Sequence, residues 1–250
     1  SGAFVLIMSV MSGLNGNIHK RILKVEPHMV LNLQLPNKQA GKDLTNLENH
    51  PDWQKLKKFD KPGNKLEIRL VETQDVILRT VDGFFRGAEA RSIDRESLSK
   101  ILQDIYGGVD EIPGKGEIWI GADLARTLGV FEGDFILVIP PETLLLPQDQ
   151  MPVFEKVRVA KILRSNVAEV DNGVLFYQRG LTLENFTQSA SRKIGLEMRA
   201  PDPFDLSKYK KVLPEIQTWQ DRNSALFHAL KIEKIVIAIF LLMSGLIATF

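Results

Sequence analysis

Cysteine is absent from the 250 residues, which excludes disulfides, thiolate metal sites and a cysteine nucleophile, and fits any compartment. Neither sign of charge is in excess. Thirty-two Lys+Arg against 31 Asp+Glu leave a formal charge of +1, so no bulk pull toward nucleic acid is expected. The four histidines (His19, His28, His50 and His228) stand far apart and form no pair at metal-ligand spacing. For His28 and His228 a solvated position is the default. Internal repeats, low-complexity stretches and Ser/Gly linkers are missing. Pro113-Gly114-Lys115-Gly116 resembles a phosphate loop only superficially. That motif needs a hydroxyl where Gly116 stands and a first glycine where Val109 stands, so this is a turn. Ser9, Ser12 and Ser244 lie in apolar runs and suit bonds back to the helix backbone rather than nucleophilic attack. The sequon Asn185-Phe186-Thr187 carries little weight without a secretory host. No enzyme constellation, ATPase motif or cofactor site emerges, and neither a cofactor nor a metal is expected.

What is present is 44% hydrophobic and 25% charged residues, ordinary globular composition for one large domain or two small ones. The most apolar residues sit at the two ends. The chain opens with Ala3-Phe4-Val5-Leu6-Ile7-Met8-Ser9-Val10-Met11 and closes on an uncharged run, Ile235 to Phe250. A membrane-spanning helix needs about 20 apolar residues. Each run falls short of that, which reads as a fragment beginning near the end of one span and finishing inside the next. A signal peptide is disfavoured because the basic cluster His19, Lys20, Arg21 and Lys24 follows the apolar stretch. If both runs span, residues 15–230 lie on one side of the membrane. Flanking lysines do not decide which side, because long segments translocate largely regardless of charge.

Between the ends, periodicity predicts a folded α+β body. Strands are expected at 28–35, 65–71, 74–81, 83–90, 117–120, 135–139, 154–164, 173–178 and 193–199. Helices are expected around Trp53 and Leu56, at 95–106, at 122–128 closed by Gly129, near 182–190 and at 203–213. A long helix runs from Trp219, where Thr218 and Asp221 fit a capping box. Continuous to 250, it would be about 48 Å long at 1.5 Å per residue and would project from the bilayer. One loop stands out. Residues 140–153 hold four prolines, three consecutive leucines and a methionine between two strand-like segments. Apolar and stiff, the loop is either a docking site or a flap over the sheet.

The chain resembles the lipoprotein-releasing ABC permeases of the LolC/LolE type. The resemblance rests on Val10-Met11-Ser12-Gly13-Leu14 with Lys20-Arg21-Ile22-Leu23 and Pro27-His28, and on Ile118-Trp119-Ile120-Gly121-Ala122-Asp123-Leu124-Ala125 through Gly133-Asp134. It also rests on Trp219-Gln220-Asp221, Leu226-Phe227, Ala229-Leu230 and Glu233-Lys234, in order along the whole chain. The resemblance implies a non-enzymatic permease in the bacterial inner membrane. Residues 27–218 would be periplasmic, and 1–26 and 219–250 would carry truncated transmembrane helices. It implies an α/β porter-like part (27–94 plus 181–218) with an inserted β-rich sabre-like part (95–180). The implied partners are an ATP-binding subunit, a second permease subunit, a periplasmic lipoprotein carrier, the lipoprotein substrate and membrane lipid. Loop 140–153 aligns with the family's hook for that carrier, through Pro141, Leu144, Leu145, Leu146, Pro147, Met151 and Pro152. Beside it, carrier-binding members have basic residues where this chain has Leu137 and Glu155, with Lys156 the nearest cation. Met8, Met11 and Leu14 match the position that holds acyl chains. A related permease that exports small molecules or transmits a signal, and a membrane-anchored interaction domain, are the alternatives.

Overall fold

The computed structural model describes residues 26–33, 51–59, 66–93, 111–146, 153–165, 168–186 and 191–225. It also describes Leu23 and helical residues at 228–229, 231–232, 235–239 and 243. In chain order these form β1 (Met29–Leu33), α1 (Pro51–Lys57), β2 (Glu67–Arg79), β3 (Phe85–Ile93), β4 (Glu117–Gly121), α2 (Ala122–Leu128) and β5 (Phe135–Ile139). A 3-10 turn (Pro141–Leu145), β6 (Glu155–Leu163), α3 (Ala168–Gly173) and β7 (Val174–Gln178) follow. The chain continues through β8 (Lys193–Arg199), α4 (Ser207–Val212), β9 (Gln217–Thr218) and α5 (Trp219–Arg222). This is a mixed α+β domain built on one large mixed sheet.

The sheet is organised by β2, which is long enough to belong to two structures. Thr73 pairs with both Arg91 of β3 and Lys193 of β8, so those strands lie on opposite edges of β2. Farther along, Ile77 to Arg79 pair with β5 on the edge that β8 has left. The ring β2-β3-β7-β4-β6-β5 therefore closes on itself as a six-stranded barrel, which removes free edges. The first half of β2 instead continues into an open sheet, β2-β8-β1-β9.

Each half has its own core. Val76, Leu78, Ile118, Ile120, Val138 and Val159 point into the barrel, and Leu124 and Leu128 of α2 pack into the same cluster. On the open sheet, Met29, Leu31, Leu196 and Met198 are covered by Tyr209, Leu213 and the fully buried Trp219. At the seam, Arg192 donates to Glu72 through Nε and Nη2, both at 2.8 Å. Tyr177 donates to the same carboxylate at 3.0 Å, and the Glu72 amide donates to Ser92 Oγ at 2.8 Å. Burial, and then the Glu72 charge, push the Tyr177 phenol well up.

Several sequence expectations change here. The strands expected at 65–71 and 74–81 are one strand, because Glu72 and Thr73 between them stay paired with β8 and Glu72 is buried. The next strand begins at Phe85 rather than 83, after a turn in which Gly83 takes φ +88°. The helix expected near 182–190 is a 3-10 turn, Glu184–Phe186, in its described part. The helix expected at 203–213 is limited to 207–212, because Asp202 instead caps a local turn at the Phe204 amide. The helix expected at 95–106 lies outside the described residues. The capping box at Thr218 and Asp221 is present, but α5 ends at Arg222 and Asn223 is non-helical before helical residues resume. Among the described residues no helix is long and apolar enough to cross a membrane. Most of the two expected spans lies outside those residues.

Two local features give stability predictions. A Cβ on Gly121 would stand 2.3 Å from the Asp171 carbonyl oxygen and 2.6 Å from that of Val170. Both are backbone atoms that cannot swing away. Gly121→Ala should therefore cost about 1–3 kcal/mol in urea unfolding. His28, which is not simply solvated, places Nδ1 at 3.0 Å from the Ala200 amide and 3.1 Å from its carbonyl oxygen. Neutral, it accepts from the amide; protonated, it donates to the carbonyl. Burial, and then the Arg199 charge, outweigh the carbonyl and Glu67 and hold its pKa below the ordinary histidine value. The unfolded chain thus binds this proton more readily. Stability from His28 is present above about pH 6.5 and is lost as pH falls through the lower folded pKa. Thermal melts from pH 8 to 5 should show that loss, and His28→Asn should flatten it.

Candidate functional site

The segment expected as a hook is built as a short turn with one polar and one apolar side. Pro141 starts it with a preset φ and no wasted amide, and Thr143 N–H donates to Pro140 O at 3.0 Å. Thr143 Oγ1 reaches across the loop to Val153 O at 3.3 Å. Glu142 accepts from the Ser191 amide at 3.2 Å, while Ser191 Oγ donates to Asp75 O at 3.3 Å. With the polar side bonded to the body, the apolar side faces out: Leu144 is 67% and Leu145 85% exposed. Pro141 and Leu146 are half-buried. Pro147, Met151 and Pro152, and the acyl-contact candidates Met8, Met11 and Leu14, lie outside the described residues.

The turn continues directly from β5, whose two faces are both apolar. Ile136 and Val138 enter the barrel core, so Phe135, Leu137 and Ile139 point outward. Across the outer surface, Leu137 stands opposite Arg79 on one side and Lys156 on the other, and Arg79 stands opposite Phe85. The Arg79 guanidinium lies 5.2 Å over the Phe85 ring and the Lys156 ammonium 4.6 Å over the Phe135 ring. The rings stay about half exposed, at 57% and 49%. Phe154 is also exposed at the start of β6. The result is an uncovered sheet face carrying apolar rings with two cations held over them, worth about 0.5–1 kcal/mol per pair at such sites.

Glu155 has a different role from a surface repulsive charge. Its carboxylate accepts from the Leu183 amide at 2.9 Å, pinning a buried non-glycine residue at φ +59°. Arg158, farther along β6, pairs with Glu117, and that contact is the largest cause holding the Glu117 carboxyl below the usual range. Among the described residues, Lys156 and Arg79 stand as cations on either side of Leu137 beside the turn. Sequence reasoning missed Phe85, Phe135 and Phe154. The all-apolar β5 sequence reads as a strand buried on both faces, and the charged alternation of β6 was the one signal that a face is open. Among the described residues no three His, Cys, Asp or Glu side chains gather to hold a metal.

No family model matches the chain. It is 25% identical over 265 residues to the lipoprotein-releasing system transmembrane protein LolC of Neisseria meningitidis, covering 99% of this chain and 60% of that protein. LolC of Buchnera aphidicola (subspecies Schizaphis graminum) is 22% identical over 98% of the chain and 60% of its own length. The transmembrane protein LolE of Haemophilus influenzae is 24% identical over 95% and 58%. The chain thus spans about three fifths of the length of the curated relatives it matches. A solved domain from a protein described as a permease, from Porphyromonas gingivalis, aligns with 80% of this chain and 84% of its own. Its identity is 12% and its TM-score 0.37.

Proposed function

We propose, from a distant homology to LolC/LolE lipoprotein-releasing permeases that runs nearly the whole length of the chain, that this is the extracytoplasmic domain of a permease subunit. The transporter extracts lipoproteins from the bacterial inner membrane and hands them to a periplasmic carrier. The two apolar ends lead into membrane spans, residues 27–218 stand in the periplasm, and ATP hydrolysis belongs to a separate subunit. A second permease subunit completes the membrane part. The barrel with its hook is the sabre-like part, drawing in β3 and the second half of β2; the open sheet is the porter-like part. Met8, Met11 and Leu14 would contact the acyl chains as these leave the bilayer, an adaptable apolar surface suited to that task.

The observation that carries the docking reading is the anchored turn presenting Leu144 and Leu145 beside an uncovered apolar face. Leucines kept in water by a polar brace cover no core, which weighs against the flap alternative. The carrier would seat an apolar groove on the turn and an acidic rim near Arg79 and Lys156. Deleting 141–152 should leave the far-UV spectrum unchanged and abolish photo-crosslinking to a periplasmic lipoprotein carrier. Undiminished crosslinking of the deletion variant would contradict the hook assignment.

A further inference from the structure

The segments that lead into and out of the domain meet at one place. Because β1 and β9 are antiparallel, with Met29 opposite Thr218 and Val30 opposite Gln217, the chain arriving before β1 lies beside the chain departing after β9. The ladder continues past the strands, since Trp219 N–H donates to His28 O at 2.9 Å. One turn on, Arg222 Nη2 donates to Pro27 O at 2.6 Å and lies 3.3 Å from the Glu26 carboxylate. Asn223 Nδ2 donates to the same Glu26 oxygen at 3.1 Å and to Trp219 O at 2.9 Å. Glu26, Arg222 and Asn223 belong to none of the hydrophobic clusters.

The departing side is itself bolted to the body. Trp219 is fully buried, donates from Nε1 to Pro203 O at 2.8 Å and stacks edge-on with Phe204 at 5.9 Å. Asp221 closes the capping box and pairs with Lys210 of α4 at 2.7 Å. The arriving side makes its own bond to the end of β8 through His28. Beyond the junction, helical residues Ile232, Ile235, Val236, Ile239 and Met243 are all exposed, so the departing segment is apolar where it leaves the folded body.

We propose that Glu26, Arg222 and Asn223 form a clamp that makes the arriving and departing segments move as one rigid body, so that motion from the membrane reaches the domain through both at once. The inference rests on the permease reading for its function but not for its geometry. Arg222 is a positioning residue: its fork joins a backbone carbonyl and a carboxylate on the arriving segment, which an alanine cannot do and a lysine does in part. Losing it should let the two segments hinge independently, so that hydrolysis continues while output falls.

The test uses the full-length protein assembled with its ATP-hydrolysing partner in proteoliposomes. In Arg222→Ala, lipoprotein released per ATP should fall about tenfold, the scale of a typical coupling energy, with hydrolysis itself preserved. Arg222→Lys should recover much of the loss, and a Glu26→Cys/Asn223→Cys disulfide should keep release intact. Parallel loss of hydrolysis and release would mark a merely structural role, and a cross-link that blocks release would show that the segments must separate; either overturns the clamp. If the wild-type protein releases no lipoprotein, the permease reading fails, and hydrogen exchange then judges the geometry alone. Faster exchange at the Trp219 and Asn223 amides in Arg222→Ala, with β8 unchanged, supports the clamp, and unchanged exchange overturns it.

Discussion

Under the proposed docking role, replacing Leu144 and Leu145 together by aspartate should weaken binding of a lipoprotein carrier by about a hundredfold or more while leaving the domain's melting temperature almost unmoved. Each leucine is mostly in water now and would be covered by a carrier groove. Burying a leucine side chain is worth about 1.5–3 kcal/mol, so two of them account for at least two decades in Kd. Aspartate adds the cost of an unpaired charge in an apolar groove. The folded body loses little, because Glu142, Thr143 and Pro141 hold the turn from its other side and exposed substitutions stay within about 0.5 kcal/mol. Titration of the carrier by calorimetry measures the effect. An affinity within about threefold of wild type would exclude the turn as the docking element.

The largest stability effect is expected at the seam rather than in either core. Glu72→Ala leaves Arg192 buried without its bidentate carboxylate and takes the acceptor from Tyr177. Breaking a buried pair from one side typically costs about 3–5 kcal/mol, a large share of the 5–15 kcal/mol that domains possess. Because Glu72 lies on β2 next to the point where barrel and open sheet diverge, the loss should loosen their connection as well. Urea unfolding should show the drop, with Glu72→Gln losing less because it still accepts from Tyr177. A Glu72→Met/Arg192→Met double variant should regain part of the loss, as apolar replacement of both partners often does. A cost below about 1 kcal/mol for Glu72→Ala would mean that the pair contributes little.

Local chemistry was readable from sequence wherever one residue's conformation decides an element. Gly129 closes α2 in the left-handed region, and β8 spans the residues its pattern predicts. What was not readable depends on pairing across the chain. Nothing local announces that Glu72 continues a strand, since its buried carboxylate is satisfied by a salt bridge to a residue 120 positions away. Barrel closure has the same origin: one edge of β2 is taken by its hairpin neighbour β3, but the other is taken by β5, with Ile77 opposite Ile139. At the candidate site, the leucines of the turn stood out because prolines isolate them from any periodic pattern. The outer aromatics did not: the apolar run of β5 gives no sign of which face Phe135 takes, and Phe85 and Phe154 stand where β3 and β6 begin, ahead of any alternation.

Central to this account is ATP-driven transfer of a lipoprotein through this domain to a soluble carrier. The direct measurement uses proteoliposomes holding the full-length protein, its ATP-hydrolysing partner and an acylated lipoprotein, with purified carrier outside. Lipoprotein should appear in the soluble fraction only when ATP and carrier are both present, and should vanish when Leu144 and Leu145 are replaced by aspartate. Hydrolysis that proceeds with no carrier-dependent release, or release indifferent to those two leucines, would contradict it.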